Sequence, residues 1–91
     1  MRDTDIAATL QYLRHMAIES NEKRNEYLCY GCANLTISDC IDTAIGAITT
    51  YLNCVCGVQV ALCRNAHTHL WSSIECNGDV VRVEECANET V

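Results

Sequence analysis

The stretch ISDCIDTAIGAITTYLNCVCGVQVALC, residues 37–63, changes its apolar period partway along, and that change decides the fold class. Over residues 37–53 the period is helical. Ile37, Ile41, Ala44, Ile45, Ile48 and Leu52 share one side, widened by Cys40, Ala47 and Tyr51. Asp39, Asp42, Thr43, Gly46, Thr49, Thr50 and Asn53 fall on the other side. Thr36 or Ser38 can cap such a helix, and Asp39 and Asp42 suit the positive end of its dipole. After residue 54 the period drops to two: Val58, Val60 and Leu62 alternate with Gln59, Ala61 and Cys63, the pattern of a half-buried strand.

Outward from this stretch, residues 4–25 read as a second helix, with Thr4 at its start and Ile6, Leu10, Leu13 and Ala17 as a narrow stripe widened by Tyr12 and Met16. Gln11, Arg14, His15, Glu19 and Glu22 face the other way, and the run from Ser20 to Glu26 is solvated helix or frayed end. Downstream, residues 68–76 and 79–85 flank Asn77-Gly78, a strong two-residue hairpin signal. A two-residue turn pairs Ile74 with Val81 and Ser72 with Val83, keeping Leu70 on the same inward face. A three-residue turn would set Arg82 opposite Ile74. Tyr27-Leu28-Cys29-Tyr30 can add an edge strand. The expected fold is α+β in one domain, residues 1–91: two helices packed on one face of a three- or four-stranded antiparallel sheet that ends in a β-hairpin.

Composition narrows function. Twelve acidic and six basic residues give a net charge of −6, and residues 34–91 hold only Arg64 and Arg82 against seven acids. That balance repels phosphate backbones and anionic lipid, so direct nucleic-acid or membrane binding is not expected. No apolar run follows the charged N-terminus and no stretch has the length of a membrane span, which makes the cytoplasm the expected compartment. Disulfides are rare there, so the eight cysteines are expected as thiols or metal ligands, with disulfides the remaining alternative. Two Asn-x-Thr triplets, at Asn34 and Asn88, would be glycosylation acceptors in a secreted chain but are too few against chance occurrence to decide the compartment.

Four of the cysteines have metal-like spacing. Cys29-x-x-Cys32 and Cys54-x-Cys56 form two close pairs with Gly31 and Gly57 available for turns, and zinc commonly takes two thiolates from each of two turns. The competing reading is buried free thiols, since Cys packs as a small hydrophobe. Cys40 and Cys63, inside regular elements, fit packing, and Cys76 and Cys86 lie near the ends of the hairpin strands. A redox role for Cys29-Tyr30-Gly31-Cys32 lacks the βαβ setting and the helix start that lower a thiol pKa.

The second constellation is His67-x-His69-x-Trp71. On a strand, the period of two sets both imidazoles and the indole on one face with Ser73, Glu75, Arg82 and Glu84. Two such histidines with Cys56 or Cys63 would make an open metal site, but no general base accompanies them. As a binding patch, His67, His69, Trp71, Glu75, Arg82 and Glu84 combine a Trp anchor with charge. The alternative is that a helix covers this face and Trp71 is core. No phosphate loop, nucleophile elbow or His-Glu-x-x-His helix is present, so enzyme chemistry has no positive support.

Three functions follow in order. The first is a non-enzymatic protein-binding module, whose sharper form is a virus- or phage-encoded inhibitor occupying a basic surface of its partner protein. The second is a zinc-stabilised structural or regulatory module built on Cys29, Cys32, Cys54 and Cys56. The third is a small thiol-redox or metal-dependent enzyme. A homodimer through an exposed aliphatic face or sheet edge is compatible with all three.

Overall fold

The computed structural model describes residues 3–28 and 35–83. Their order is α1 (Asp3–Glu22), α2 (Ile37–Cys54), β1 (Val60–Arg64), β2 (Trp71–Cys76) and β3 (Asp79–Arg82). The strands form one antiparallel sheet in the order β1-β2-β3, with both helices against it, so the expected α+β architecture is what the chain adopts.

Each boundary has a local cause. Thr36 caps α2 reciprocally: its Oγ1 accepts the Asp39 N–H at 3.0 Å, and its own N–H donates to Asp39 Oδ2 at 3.0 Å. At the other end the Val58 N–H reaches back to the Leu52 carbonyl at 2.9 Å around Gly57, whose φ of 70° only glycine adopts freely. The α1 helix stops at Glu22, where the Lys23 N–H is shared between the Glu19 and Ser20 carbonyls. Tyr27 does not extend the sheet: it makes one isolated bridge to Thr36, and the Leu28 N–H bonds the Leu35 carbonyl.

The hairpin follows the two-residue register. Cys76 pairs with Asp79 and Ile74 with Val81, while the Val83 N–H reaches the Ser72 carbonyl at 2.9 Å. Asn77 and Gly78 have φ of 51° and 95°, the type I′ geometry whose twist matches the flanking strands.

The core is aliphatic. Leu13 and Ala17 of α1, Ile45 and Leu52 of α2, and Val58, Val60, Ile74 and Val83 from the sheet and its flanks are buried together. On the far side of the sheet, Ala61, Cys63, Glu75, Val80 and Arg82 are exposed. Two asparagines fasten the helices to the strands. Asn53 accepts the Val60 N–H at 2.8 Å and donates to the Val60 carbonyl at 3.1 Å. Asn21 does the same for Trp71, at 2.9 Å and 3.0 Å. Each amide supplies the donor and acceptor that a neighbouring strand would supply.

Replacing either amide by Ala strands two partly buried backbone groups, at about 1–3 kcal/mol per unmade bond. Asn53→Ala and Asn21→Ala are each expected to lower the urea midpoint of unfolding with an unchanged slope. Truncating the core at Ile74→Ala is expected to cost about 2–5 kcal/mol in the same measurement.

Candidate functional site

The β1–β2 connection places the two histidines and Trp71, and it is not an extended strand. Asn65 folds it into a compact loop: its side-chain Oδ1 accepts the His67 and Thr68 N–H groups at 2.8 and 2.9 Å, and its backbone N–H bonds the Leu70 carbonyl at 2.7 Å. His69 sits at φ 63°, and Arg24 of the segment after α1 donates to the Thr68 carbonyl. His67 and His69 are exposed on this loop, so the alternation that would align them with Trp71 on one strand face does not apply.

A bulge completes the change. Leu62 pairs with Ile74 and Cys63 with Ser73, but Arg64 pairs with Trp71, so β2 carries one extra residue opposite Arg64. The extra residue turns Trp71 to the helix-facing side. There the indole is half-buried against the core, its Nε1–H donates to Asp42 Oδ1 at 2.8 Å, and the Arg64 guanidinium lies 3.7 Å from its ring centre. Trp71 is therefore not an outward anchor but the covered one. Of the other residues expected beside it, Glu75 and Arg82 lie exposed on the far face of the sheet, and Glu84 lies outside the described residues. The Arg82 carbonyl accepts from Arg14 Nε at 2.8 Å, which ties α1 to β3.

Asp42 is the centre of this region, although its period had placed it outward. Its carboxylate accepts from Trp71 Nε1 and the Ser20 hydroxyl on one oxygen and from Arg64 Nη2 at 3.1 Å on the other. Ser20, 1% exposed, also contacts the buried Ser38 hydroxyl at 2.8 Å. Arg64 Nη1 donates to the His69 carbonyl at 2.7 Å, so the guanidinium joins the loop, the indole and α2. Beside this network an open groove of about 280 Å³ runs between α2 and the sheet, lined by Asp42, Ile45, Gly46, Thr49, Thr50, Leu62 and Trp71.

The outer side of α2 is the second notable surface. Cys40, Ala44, Ala47, Tyr51 and Cys54 are all exposed, Tyr51 by 54%, and Val55 just beyond the helix by 68%. Periodicity places Cys40, Ala44, Ala47 and Tyr51 with the core stripe, and these four are at the surface. Ile45 and Leu52 are buried and Ile41 and Ile48 half-buried as expected, but the buried face is turned to include Ser38, Asp42 and Thr49, which carries those four to solvent.

The cysteines divide differently from their spacing. Cys40 and Cys63 are exposed rather than packed, and Cys56 and Cys76 are half-buried against the core. Cys29 and Cys32 lie outside the described residues, and Cys54 ends α2. Among the described residues, no group of three or more His, Cys, Asp or Glu side chains is placed to hold a metal.

Removing the carboxylate by Asp42→Ala leaves the indole N–H and a guanidinium without their acceptor, a loss of about 1.5–3 kcal/mol for bonds to a charged group. A double-mutant cycle with Arg64→Ala is expected to show coupling, and the emission of Trp71 should move to longer wavelength. Thiol labelling of the folded protein is expected to modify Cys40, Cys54 and Cys63 before Cys56 and Cys76. No protein-family model, curated protein or solved structure matches this chain.

Proposed function

We propose that this chain is a non-enzymatic protein-binding module that presents the outer face of α2 to its partner. The observation that carries the reading is the absence of charge where a surface helix normally has it. Residues 43–63 contain no charged side chain, in a chain with twelve acids and six bases. An amphipathic surface helix keeps its charges outward. Here α2 is covered by α1 and the sheet on one side only, and its other side offers Ala44, Ala47 and Tyr51 over about 21 Å of axis from Cys40 to Cys54. An exposed apolar strip of this kind is a recognition surface.

The N-terminal end of that strip is acidic. Asp39 is exposed at its N-terminal end, and the chain as a whole carries −6. An apolar strip with one acidic end on a chain of net negative charge fits a partner protein whose own apolar patch is bordered by Lys or Arg, with charge governing encounter and orientation. Inhibition by occupying a basic surface is the sharper form of the same reading.

Ala47→Glu puts one carboxylate at the middle of the strip without touching the core. The variant is expected to melt as the wild type does and to lose, by at least about tenfold, affinity for a protein partner isolated on the wild-type chain. Ala61→Glu on the far face of the sheet should leave that affinity unchanged. A partner that binds the folded Ala47→Glu chain as tightly as the wild type would overturn the proposal.

A further inference from the structure

The exposed apolar residues of α2 recur with the spacing of a helix-pairing seam. Ile37, Cys40, Ala44, Ala47, Tyr51 and Cys54 follow one another at intervals of three, four, three, four and three. That alternation averages 3.5 residues and repeats the two apolar positions of a coiled-coil heptad along the whole 18-residue helix. The buried side follows a different row, Ser38, Ile45 and Leu52. The core therefore accounts for one row and leaves the other at the surface, where five of its six residues are exposed and Ile37 is half-buried.

The order of side chains along the seam is self-complementary. In an antiparallel pair of α2 helices related by a two-fold axis level with the Ile45–Gly46 peptide, Ile37 falls opposite Cys54 of the second copy, Cys40 opposite Tyr51, and Ala44 opposite Ala47. The bulky Tyr51 thus meets a small thiol, and the central layers of Ala on Ala let the axes approach at the short end of the usual range of about 8–10 Å. A parallel pair in register would instead set Tyr51 on Tyr51 beside Ala47 on Ala47, layers of unequal width.

Charge permits the antiparallel pair despite the net −6 of each copy. Ile41, Thr43, Ile48 and Thr50 flank the seam, and none is charged. Asp42 is turned inward to Arg64. The exposed Asp39 of one copy lies about 20 Å along the axis from that of the other, beyond a Debye length of about 8 Å. The helix dipoles run in opposite directions.

We propose that two copies of this chain pair antiparallel through the outer seam of α2, covering the strip until an outside protein displaces the second copy. The inference rests on the same exposed strip as the protein-binding reading. A strip about 21 Å long and one helix wide falls well short of the roughly 800 Å² per partner that a stable complex buries, so the pair is weak and exchangeable. The second copy also lacks the Lys or Arg border that suits an outside partner.

Sedimentation equilibrium in the presence of a thiol reductant tests the pair. The wild-type chain is expected to be largely monomeric at about 10 µM and largely dimeric at about 1 mM, a Kd near about 0.1 mM. Cys40→Lys and Tyr51→Glu each put one charge in the seam at an exposed position, and each is expected to weaken dimerisation at least about fivefold. The chain carrying both sets each introduced ammonium opposite an introduced carboxylate of the second copy, and is expected to dimerise at least about fivefold more tightly than either single variant. The two positions lie about 17 Å apart on one helix, so that gain cannot arise within one chain. A wild-type chain that stays monomeric at about 1 mM would overturn the proposal, as would a double variant that dimerises no more tightly than the single ones. A monomeric chain whose affinity for an outside partner still falls in Ala47→Glu removes the self-pairing and keeps the protein-binding reading; the reverse pattern keeps the pair and removes that reading.

Discussion

The Asp42 carboxylate is the contact on which the arrangement of helices and sheet depends. It accepts from Ser20 of α1, from the Trp71 indole of β2 and from Arg64 of β1, and it projects from α2, so one side chain joins four elements. A half-buried carboxylate is tolerated only where its lone pairs are filled and an opposite charge is close, and both conditions hold here. The network also gives directionality that an aliphatic core of Leu, Ile, Val and Ala lacks. Apolar contacts can slide, whereas three donors converging on two oxygens fix the rotation of α2 about its own axis. That rotation decides which residues of α2 face water.

The same fact explains how much of the molecule was legible in the sequence. The helices, the three strands and the hairpin register were readable because their signals are local: the Thr36 cap, Gly57 after the helix, and Asn77-Gly78 with its left-handed backbone. The phase of α2 was readable only in part: Ile37, Ile41, Ile45, Ile48 and Leu52 of the expected stripe are buried or half-buried, while Ala44 is not. The apolar side spans about half the circumference, and counting Asp42 as outward centred the stripe too far toward Cys40, Ala44, Ala47 and Tyr51. The buried face runs instead through Ser38, Ile45 and Leu52, with polar residues at its margin. Trp71 was misplaced for a different reason. A one-residue bulge opposite Arg64 reverses every inference from alternation beyond it, and only the Asn65 turn hinted that the strand ended before His67.

Asparagine performs a task here that the sequence pattern gives no means of assigning. Asn21 and Asn53 each complete both hydrogen bonds of one strand residue, Asn65 closes the β1–β2 loop, and the Asn77 side chain accepts the Gln59 N–H at 3.2 Å. With three strands and two helices, many backbone groups at sheet ends have no neighbouring strand to satisfy them. Amide side chains carry a donor and an acceptor on one rigid plane, which makes them the natural substitute. Because Asn53 occupies Val60 at the open edge of β1 and Arg14 occupies the Arg82 carbonyl of β3, the edges offer less to strand addition than their length implies.

With parts of the sheet edges engaged and the indole turned inward, the outer side of α2 is an apolar surface left uncovered among the described residues. Its exposure and the burial of Asp42 are one event seen from two sides: the rotation that brings the carboxylate to Ser20, Trp71 and Arg64 carries Ala44, Ala47 and Tyr51 into solvent. A helix stabilised by tertiary packing alone could turn by a residue and cover those side chains at the expense of others. The charged network prevents that adjustment. The apolar strip is thus held outward by the fold's most directional contacts, which is the physical requirement for a preformed surface rather than one created when a partner arrives.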